Sequence, residues 1–372
     1  MTEKTVVFAG GGTGGHLYPA LAVAERLGEI APEITIHFFC SERPIDRQIL
    51  SKTSFAFTPL PAQGLTLRPY ELLKVVQFFK TFRSSYRQVR AFLGDAKQAI
   101  VVGVGGFVAG PVCYAAHRAR TPLALINVDC VPGKVNKLAR RWAHEVFTQF
   151  EDTTDIFSGY RAQVRVVGCP LRQAFDEPDP RRARGELKLD PRKKVLLVTG
   201  ASSGCRSINE ALLALLPKFD PFAESWQIVH VTGSAHFEAV KAAYHPTKIA
   251  YKAINYYEHM PDLLSCAQLL IGRSGAVSVA EYAAAGVPSI CIPYPHHRDR
   301  HQYLNAEKLV CAGAAIMVDD LPDLNERTAW LWEELEALLS DEQRRMDMSQ
   351  ACDKIAKRDA AVEIAKRLLE MQ

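Results

Sequence analysis

The 372-residue sequence has no Cys-x-x-Cys pair. Its nine cysteines (Cys40, Cys113, Cys130, Cys169, Cys205, Cys266, Cys291, Cys311 and Cys352) are scattered and odd in number. That pattern excludes a disulfide framework and a structural zinc site, so most of these thiols should be buried, reduced and inert. No uninterrupted apolar run approaches the ~18 residues that a bilayer-spanning helix requires. Met-Thr-Glu-Lys leads directly into Val6-Val7-Phe8-Ala9, which is too short for a signal-peptide core and has no small-residue cleavage site after it. A cytoplasmic protein is the expectation. Short-period repeats and low-complexity tracts are also missing. With 48% hydrophobic and 23% charged residues, the chain is neither a disordered tail nor a collagen-like fibre.

The length suggests about two domains at roughly 150 residues each. The net charge of +4 is unevenly spread. Residues 1–170 carry 20 Lys+Arg against 13 Asp+Glu, a net of +7, and the remainder carries 25 against 28, a net of −3. Two domains meeting different partners would account for this. Apolar, strand-like runs alternate with helical patterns: Val6 to Ala9, then a helix over Leu21 to Leu27, then strands at Ile34 to Phe39, Ala99 to Val102 and Pro122 to Ile126. The pattern restarts with Val164 to Val167 and continues at Lys194 to Thr199, Gln227 to Val231, Leu269 to Ile271 and Ser289 to Pro293. Such alternation predicts βαβ units, and continuous apolar runs predict parallel strands covered on both faces. The break falls at Gly168-Cys169-Pro170, ahead of a charged stretch with Pro178 and Pro180 that reads as a linker. The fold class is α/β, with two Rossmann-like domains, parallel sheets and a cleft between them. Their bounds are 1–168 and 169–372, with the last helix, about 352–372, packing back on the first domain.

Three glycine-rich turns follow strands. Gly10-Gly11-Gly12-Thr13-Gly14-Gly15-His16 precedes a helix whose N–H groups suit an anion or a diphosphate. Gly10, Gly12 and Gly15 also fit G-x-G-x-x-G, but the acidic residue expected about 20 positions on is not at the strand end Phe39-Cys40-Ser41. That argues against NAD. Thr199-Gly200-Ala201-Ser202-Ser203-Gly204 is the second loop, where Ser202 adds a hydroxyl donor for a phosphate. Neither loop has the P-loop pattern of an ATPase or kinase. Gly272-Arg273-Ser274-Gly275-Ala276 is the third, opening a helix that stops before Gly286 and Pro288. Glu281 stands in the first two turns of that helix, either to accept ribose hydroxyls or to stabilise the helix dipole.

These loops, with Gly105-Gly106-Phe107-Val108-Ala109-Gly110-Pro111 and Pro293-Tyr294-Pro295-His296…His301-Gln302…Asn305-Ala306, resemble glycosyltransferase family 28 in order and spacing over roughly residues 5–315. The resemblance is to its peptidoglycan N-acetylglucosaminyltransferases and implies the GT-B fold. It implies an inverting transfer of N-acetylglucosamine from UDP-N-acetylglucosamine to a polyprenyl-diphosphate-linked muramyl-peptide, lipid I becoming lipid II. In that reading the second domain binds the donor through Arg172, Ser202, Gly275, Ala276, Glu281, His301 and Gln302. The first binds the acceptor diphosphate through Thr13, Gly14, Gly15, His16, Gly105, Gly106 and Asn127. No cofactor is required, a divalent cation at most stimulating the reaction. His297 and His301 are four residues apart, but the prolines at 293 and 295 favour a loop over a zinc site.

Three positions depart from the family pattern. Its tyrosine is Phe107, its acidic residue is Asn127 and its asparagine is Asp129. Asp129 therefore becomes a candidate general base beside His16, which could equally bind phosphate or cap the helix. The exchange leaves two rivals open, a glycolipid synthase with another acceptor and a nucleotide-sugar-binding subunit that needs a partner. Finally, residues 70–93 form an amphipathic pattern with Lys80, Arg83, Arg87 and Arg90 at helical spacing on one face. This is either a core-packed helix with a solvated basic face or a helix at an anionic membrane surface. A lipid-linked acceptor favours the second and places the protein peripherally on the cytoplasmic face of the inner membrane. Nucleic acid is not expected as a partner, because stacking aromatics do not interleave the basic residues in any recognised module.

Overall fold

The apolar runs become the interior strands of two parallel sheets. The computed structural model describes residues 4–64, 72–96, 98–201 and 204–371. In the first sheet β1 (Thr5–Ala9) pairs in parallel with β2 (Thr35–Ser41) and β4 (Ala99–Gly103). Thr5 lies opposite both Thr35 and Ala99. β3 (Ala56–Leu60), β5 (Leu123–Asn127), β6 (Glu145–Thr148) and β7 (Gln163–Val166) complete the order β3-β2-β1-β4-β5-β6-β7. Val6, Val7 and Phe8 are fully buried, as strands covered by helices on both faces require. The helices are α1 (Gly14–Ile30), α2 (Pro44–Leu50), α3 (Leu72–Asp95), α4 (Gly106–Ala119), α5 (Lys134–Ala139) and α6 (Thr154–Phe157).

The second sheet, in the order β10-β9-β8-β11-β12-β13, comprises β8 (Lys194–Thr199), β9 (Trp226–Val231), β10 (Ala250–Ile254), β11 (Leu269–Gly272), β12 (Ser289–Cys291) and β13 (Ala315–Met317). Around it lie α7 (Pro180–Glu186), α8 (Arg206–Leu215), α9 (Phe237–Ala243), α10 (Met260–Ser265), α11 (Ala276–Ala284), α12 (His301–Cys311), α13 (Leu324–Ser340) and α14 (Glu342–Ile355). Its core gathers Leu196, Phe219, Trp226, Leu335 and Trp332.

One expectation needs correcting. The run at 164–167 does not restart the pattern but forms β7, the outer strand of the first sheet, paired with β6 and within the expected first-domain bound of 168. Edge position explains its weak burial, since only one neighbour and fewer side chains cover it. Arg165 Nε donates to Glu145 Oε2 at 3.2 Å across that pair. The chain divides into one unit of residues 1–173 with 357–372 and another of residues 174–356. The final helix, α15 (Ala360–Glu370), packs on α1 in the first unit. Arg367 Nη2 there donates to the buried Glu145 Oε1 at 2.7 Å, and Lys4 Nζ reaches the carbonyl of Leu369 at 2.6 Å.

Candidate functional site

In the first unit the C-terminal ends of β1, β4 and β5 bring three loops together. Parallel sheets present their ligand sites at these ends, where helix N-termini also converge. Thr13 ends the first glycine loop, and Gly14 and Gly15 open α1. The half-buried His16 has Nδ1 hydrogen-bonded to Thr13 Oγ1 at 3.1 Å. Its ring lies against the turn Gly105-Gly106, whose φ angles of 118° and 74° are positive. A Cβ on Gly105 would come within 3.0 Å of His16 Cδ2, so the imidazole and the turn fit only while that residue is glycine.

Burial lowers the pKa of His16, while the charges of Asp129 and Asp46 and a backbone hydrogen bond at Gly11 act in the opposite direction. The net shift is downward, which favours the neutral imidazole. Asn127, at the end of β5, is 3% exposed. Its Nδ2 donates to the carbonyl of Asp129 at 2.8 Å, and its Oδ1 accepts from Asn136 Nδ2 at 3.3 Å. The amide thus fixes the backbone at Asp129, whose carboxylate acts on His16. Thr13, Gly14, Gly15, His16, Gly105, Gly106, Asn127 and Asp129 are gathered in this one region. Arg172 lies in the first unit, which runs to Gln173. Its guanidinium lies 4.5 Å from the Tyr18 ring centroid on α1.

The second unit gathers the other glycine turns. Gly204 has φ +73°, and a side chain there would overlap the carbonyl of Thr232. Ser202 lies outside the described residues. α11 begins at Ala276 with Gly275 as its N-cap, and the half-buried Glu281 projects from its second turn. Ser274 Oγ donates to the carbonyl of Gln302 at 2.9 Å, and Asn305 Nδ2 to that of Ser274 at 3.3 Å. These two bonds tie α12 to the α11 loop. Gln302 Oε1 accepts from the Tyr294 N–H at 2.9 Å. His301 Nδ1 pairs with Asp299 Oδ1 at 2.8 Å and its ring stacks on His297 at 4.2 Å. Burial alone would raise the pKa of Asp299, but the His301 contact outweighs it and the net shift is down. Among the described residues no group of three or more His, Cys, Asp or Glu side chains is arranged to hold a metal ion.

Sequence reasoning missed the residues that hold these loops in place. Arg273, 7% exposed, donates to the carbonyls of Ile292 and Pro293 at 2.9 and 3.0 Å and to Asp320 Oδ2 at 2.6 Å. It joins the exits of β11, β12 and β13. Asp46 and Arg43 do the same for the first loop; their available signal was the Pro44 helix start with an acid in its first turn.

Comparison with known proteins bears on both units. Residues 6–148 match the glycosyltransferase family 28 N-terminal domain and residues 195–368 its C-terminal domain. The chain belongs to glycosyltransferase family 28. Among relatives of this family 28 chain is the UDP-N-acetylglucosamine–N-acetylmuramyl-(pentapeptide) pyrophosphoryl-undecaprenol N-acetylglucosamine transferase of Oenococcus oeni. It is 33% identical over 372 residues, covering 98% of this chain and 97% of the relative. The like-named enzyme of Leuconostoc citreum is 33% identical over 371 residues, with 98% of each covered. The crystal structure of Acinetobacter baumannii MurG superposes with a TM-score of 0.71 at 26% identity, over 99% of this chain and 100% of that one. A UDP-GlcNAc 2-epimerase from Neisseria meningitidis shares the fold at TM-score 0.69 and 14% identity, over the full length of both chains. The two parallel-sheet, Rossmann-like domains of this family 28 chain are those of the GT-B fold.

Proposed function

We propose that this chain is an inverting hexosyltransferase of peptidoglycan synthesis. It moves N-acetylglucosamine from UDP-N-acetylglucosamine to a polyprenyl-diphosphate-linked muramyl-pentapeptide, converting lipid I to lipid II. The observation that carries the reading is the end-to-end similarity, through both units, to transferases of that printed activity. An acceptor hydroxyl attacks the anomeric carbon; a C–O bond forms as the C–O bond to the β-phosphate breaks, and UDP leaves. The hydroxyl proton passes to His16 or Asp129. In this reading the N–H groups at the start of α11 meet the leaving diphosphate, and Glu281 accepts from the ribose hydroxyls. A divalent cation is not required and at most stimulates the reaction, so a chelator should slow transfer at most and not abolish it.

The acceptor's lipid calls for a membrane-facing surface, and α3 supplies one in this reading. Leu73, Val76 and Phe79 are exposed on its N-terminal half, beside exposed Lys80 and Arg83. No helix among the described residues is long and apolar enough to cross a membrane, so attachment would be peripheral. The direct test supplies radiolabelled UDP-N-acetylglucosamine with purified lipid I or with diacylglycerol. Label in a lipid-diphosphate disaccharide supports the proposal. Label only in a glycerolipid would overturn the acceptor, and no label in either would overturn the activity.

A further inference from the structure

The turn between β2 and α2 reaches back to the first glycine loop, 31 to 34 residues away in the chain. Asp46, on α2, is fully buried. The N–H of Gly12 donates to both of its carboxylate oxygens, at 2.9 and 2.8 Å, and the N–H of Ser41 donates to Oδ2 at 2.9 Å. The Ser41 hydroxyl adds a further bond to Oδ2. The packing is close enough that a Cβ on Gly11 would overlap that same oxygen. Arg43, which is exposed, takes the other side of the same residue, with Nη1 donating to the carbonyl of Gly12 at 2.9 Å. Its guanidinium carbon lies 5.2 Å from the centroid of Phe107, whose edge would be 3.0 Å from a Cβ on Gly12. Gly12 is thus gripped at its N–H, its carbonyl and its α-carbon.

We propose that Asp46 and Arg43 are positioning residues for the transfer reaction, clamping Gly12 so that the loop carries His16 to its working place against Gly105 and Gly106. The inference rests on the functional reading above and adds to it. The clamp has two consequences. The N–H of Gly12, which a phosphate-binding loop would ordinarily offer to its ligand, is consumed by the protein's own carboxylate. An acceptor diphosphate is therefore left with the N–H groups at the start of α1. The Asp46 charge also acts on His16, together with Asp129 from the loop after β5. A buried carboxylate that takes several N–H bonds and also biases a neighbouring imidazole cannot be replaced by a neutral isostere without cost to both roles.

Asp46→Asn keeps the shape but turns an amide NH2 toward N–H donors. It should lower kcat by about 10–100-fold through loss of loop placement, with the Kd for UDP unchanged. By removing a negative charge it should also move the acid limb of the kcat profile, and the His16 pKa followed by NMR, to lower pH. A merely structural role would leave the His16 pKa where it is. Arg43→Gln, at an exposed position expected to fold normally, should lower kcat by about 3–10-fold, and Arg43→Lys should recover part of that loss. Native kcat in a folded Asp46→Asn or in Arg43→Gln would overturn the proposal, as would a His16 pKa unmoved in Asp46→Asn. Should Asp46→Asn fail to fold, the Arg43 pair decides. Should the wild-type chain transfer no sugar, the functional reading falls, and the His16 titration in Asp46→Asn still decides whether the clamp acts on the imidazole.

Discussion

Burial makes His16 usable as a base: it pushes the imidazole pKa down, so the ring stays neutral and able to accept a proton at pH values where a free histidine is half charged. Nδ1 of that ring is hydrogen-bonded to Thr13 Oγ1. Asn127 cannot serve as a base, because an amide takes up no proton near neutral pH; its side chain instead bonds the Asp129 backbone and Asn136. Two residues on stands Asp129, whose charge acts on His16. Asp129→Asn is therefore expected to cut kcat by about 10²–10⁴-fold, the range of general-base catalysis, while the KM for the UDP-sugar stays constant. Steady-state kinetics with each substrate varied in turn checks this. Near-normal turnover would remove Asp129 from the proton path and leave His16 as the base. His16→Ala differs in raising the acceptor KM as well, since the ring stands at the N-terminus of α1 where a diphosphate would bind.

At the scale of elements, what could be read from the sequence followed local chemistry. Glycine turns after β-branched runs announced β1, β8 and β11 with their following helices, because strand, turn and helix signals lie within a dozen residues of one another. β3, β6, β10 and β13 were missed: Ala56–Leu60 carries a proline, Glu145–Thr148 and Ala250–Ile254 each carry a charged residue, and Ala315–Met317 is only three residues long. The Asp46 clamp could not be read at all, because its partner Gly12 is 34 positions away and only the fold joins them. α3 shows a mixed outcome. Its C-terminal half is a packed helix, with Val89 and Leu93 buried and the Phe82 and Tyr86 rings against Tyr114 of α4. Its N-terminal half leaves Leu73 85%, Phe79 63% and Val76 52% exposed. Each Lys or Arg held near anionic lipid contributes about 1 kcal/mol, and the four exposed cations Lys80, Arg83, Arg87 and Arg90 act together with that apolar patch. The protein should sediment with anionic vesicles at low salt and be released at high salt. Reversing the four charges should abolish binding, and Phe79→Ser should weaken it at every salt concentration. Co-sedimentation indifferent to all of these would contradict a membrane role for α3.

Across the whole molecule, composition foretold chemistry better than it foretold fastening. Seven of the nine thiols are buried, and burial raises Cys40, Cys113 and Cys291 to about 12, far from any reactive thiolate. Nothing in the composition announced His230, which is fully buried in the second unit. Its Nε2–H donates to Asn209 Oδ1 at 2.9 Å, and its Nδ1 accepts from the Tyr251 hydroxyl at 2.8 Å. Asn209 Nδ2 in turn donates to the carbonyl of Thr232, the atom that a side chain on Gly204 would strike. The histidine therefore braces the second glycine loop from behind and must stay neutral to do so. Burial depresses its pKa from 6.5 to about 3. As pH falls below ~6.5 the unfolded chain takes up a proton at this residue and the folded chain does not, until pH ~3. Stability from His230 is then present above the unfolded value and declines through that window, by about 1.4 kcal/mol per pH unit at most. His230→Phe removes this dependence but strands the Asn209 carbonyl and the Tyr251 hydroxyl, at a cost of about 1–3 kcal/mol for each buried group left unpaired. Urea denaturation should thus find the variant less stable at pH 7.5, with the gap from wild type narrowing steadily toward pH 5. A gap of constant size across that range would show that His230 titrates alike in the folded and unfolded chains, and that the buried network does not hold it neutral.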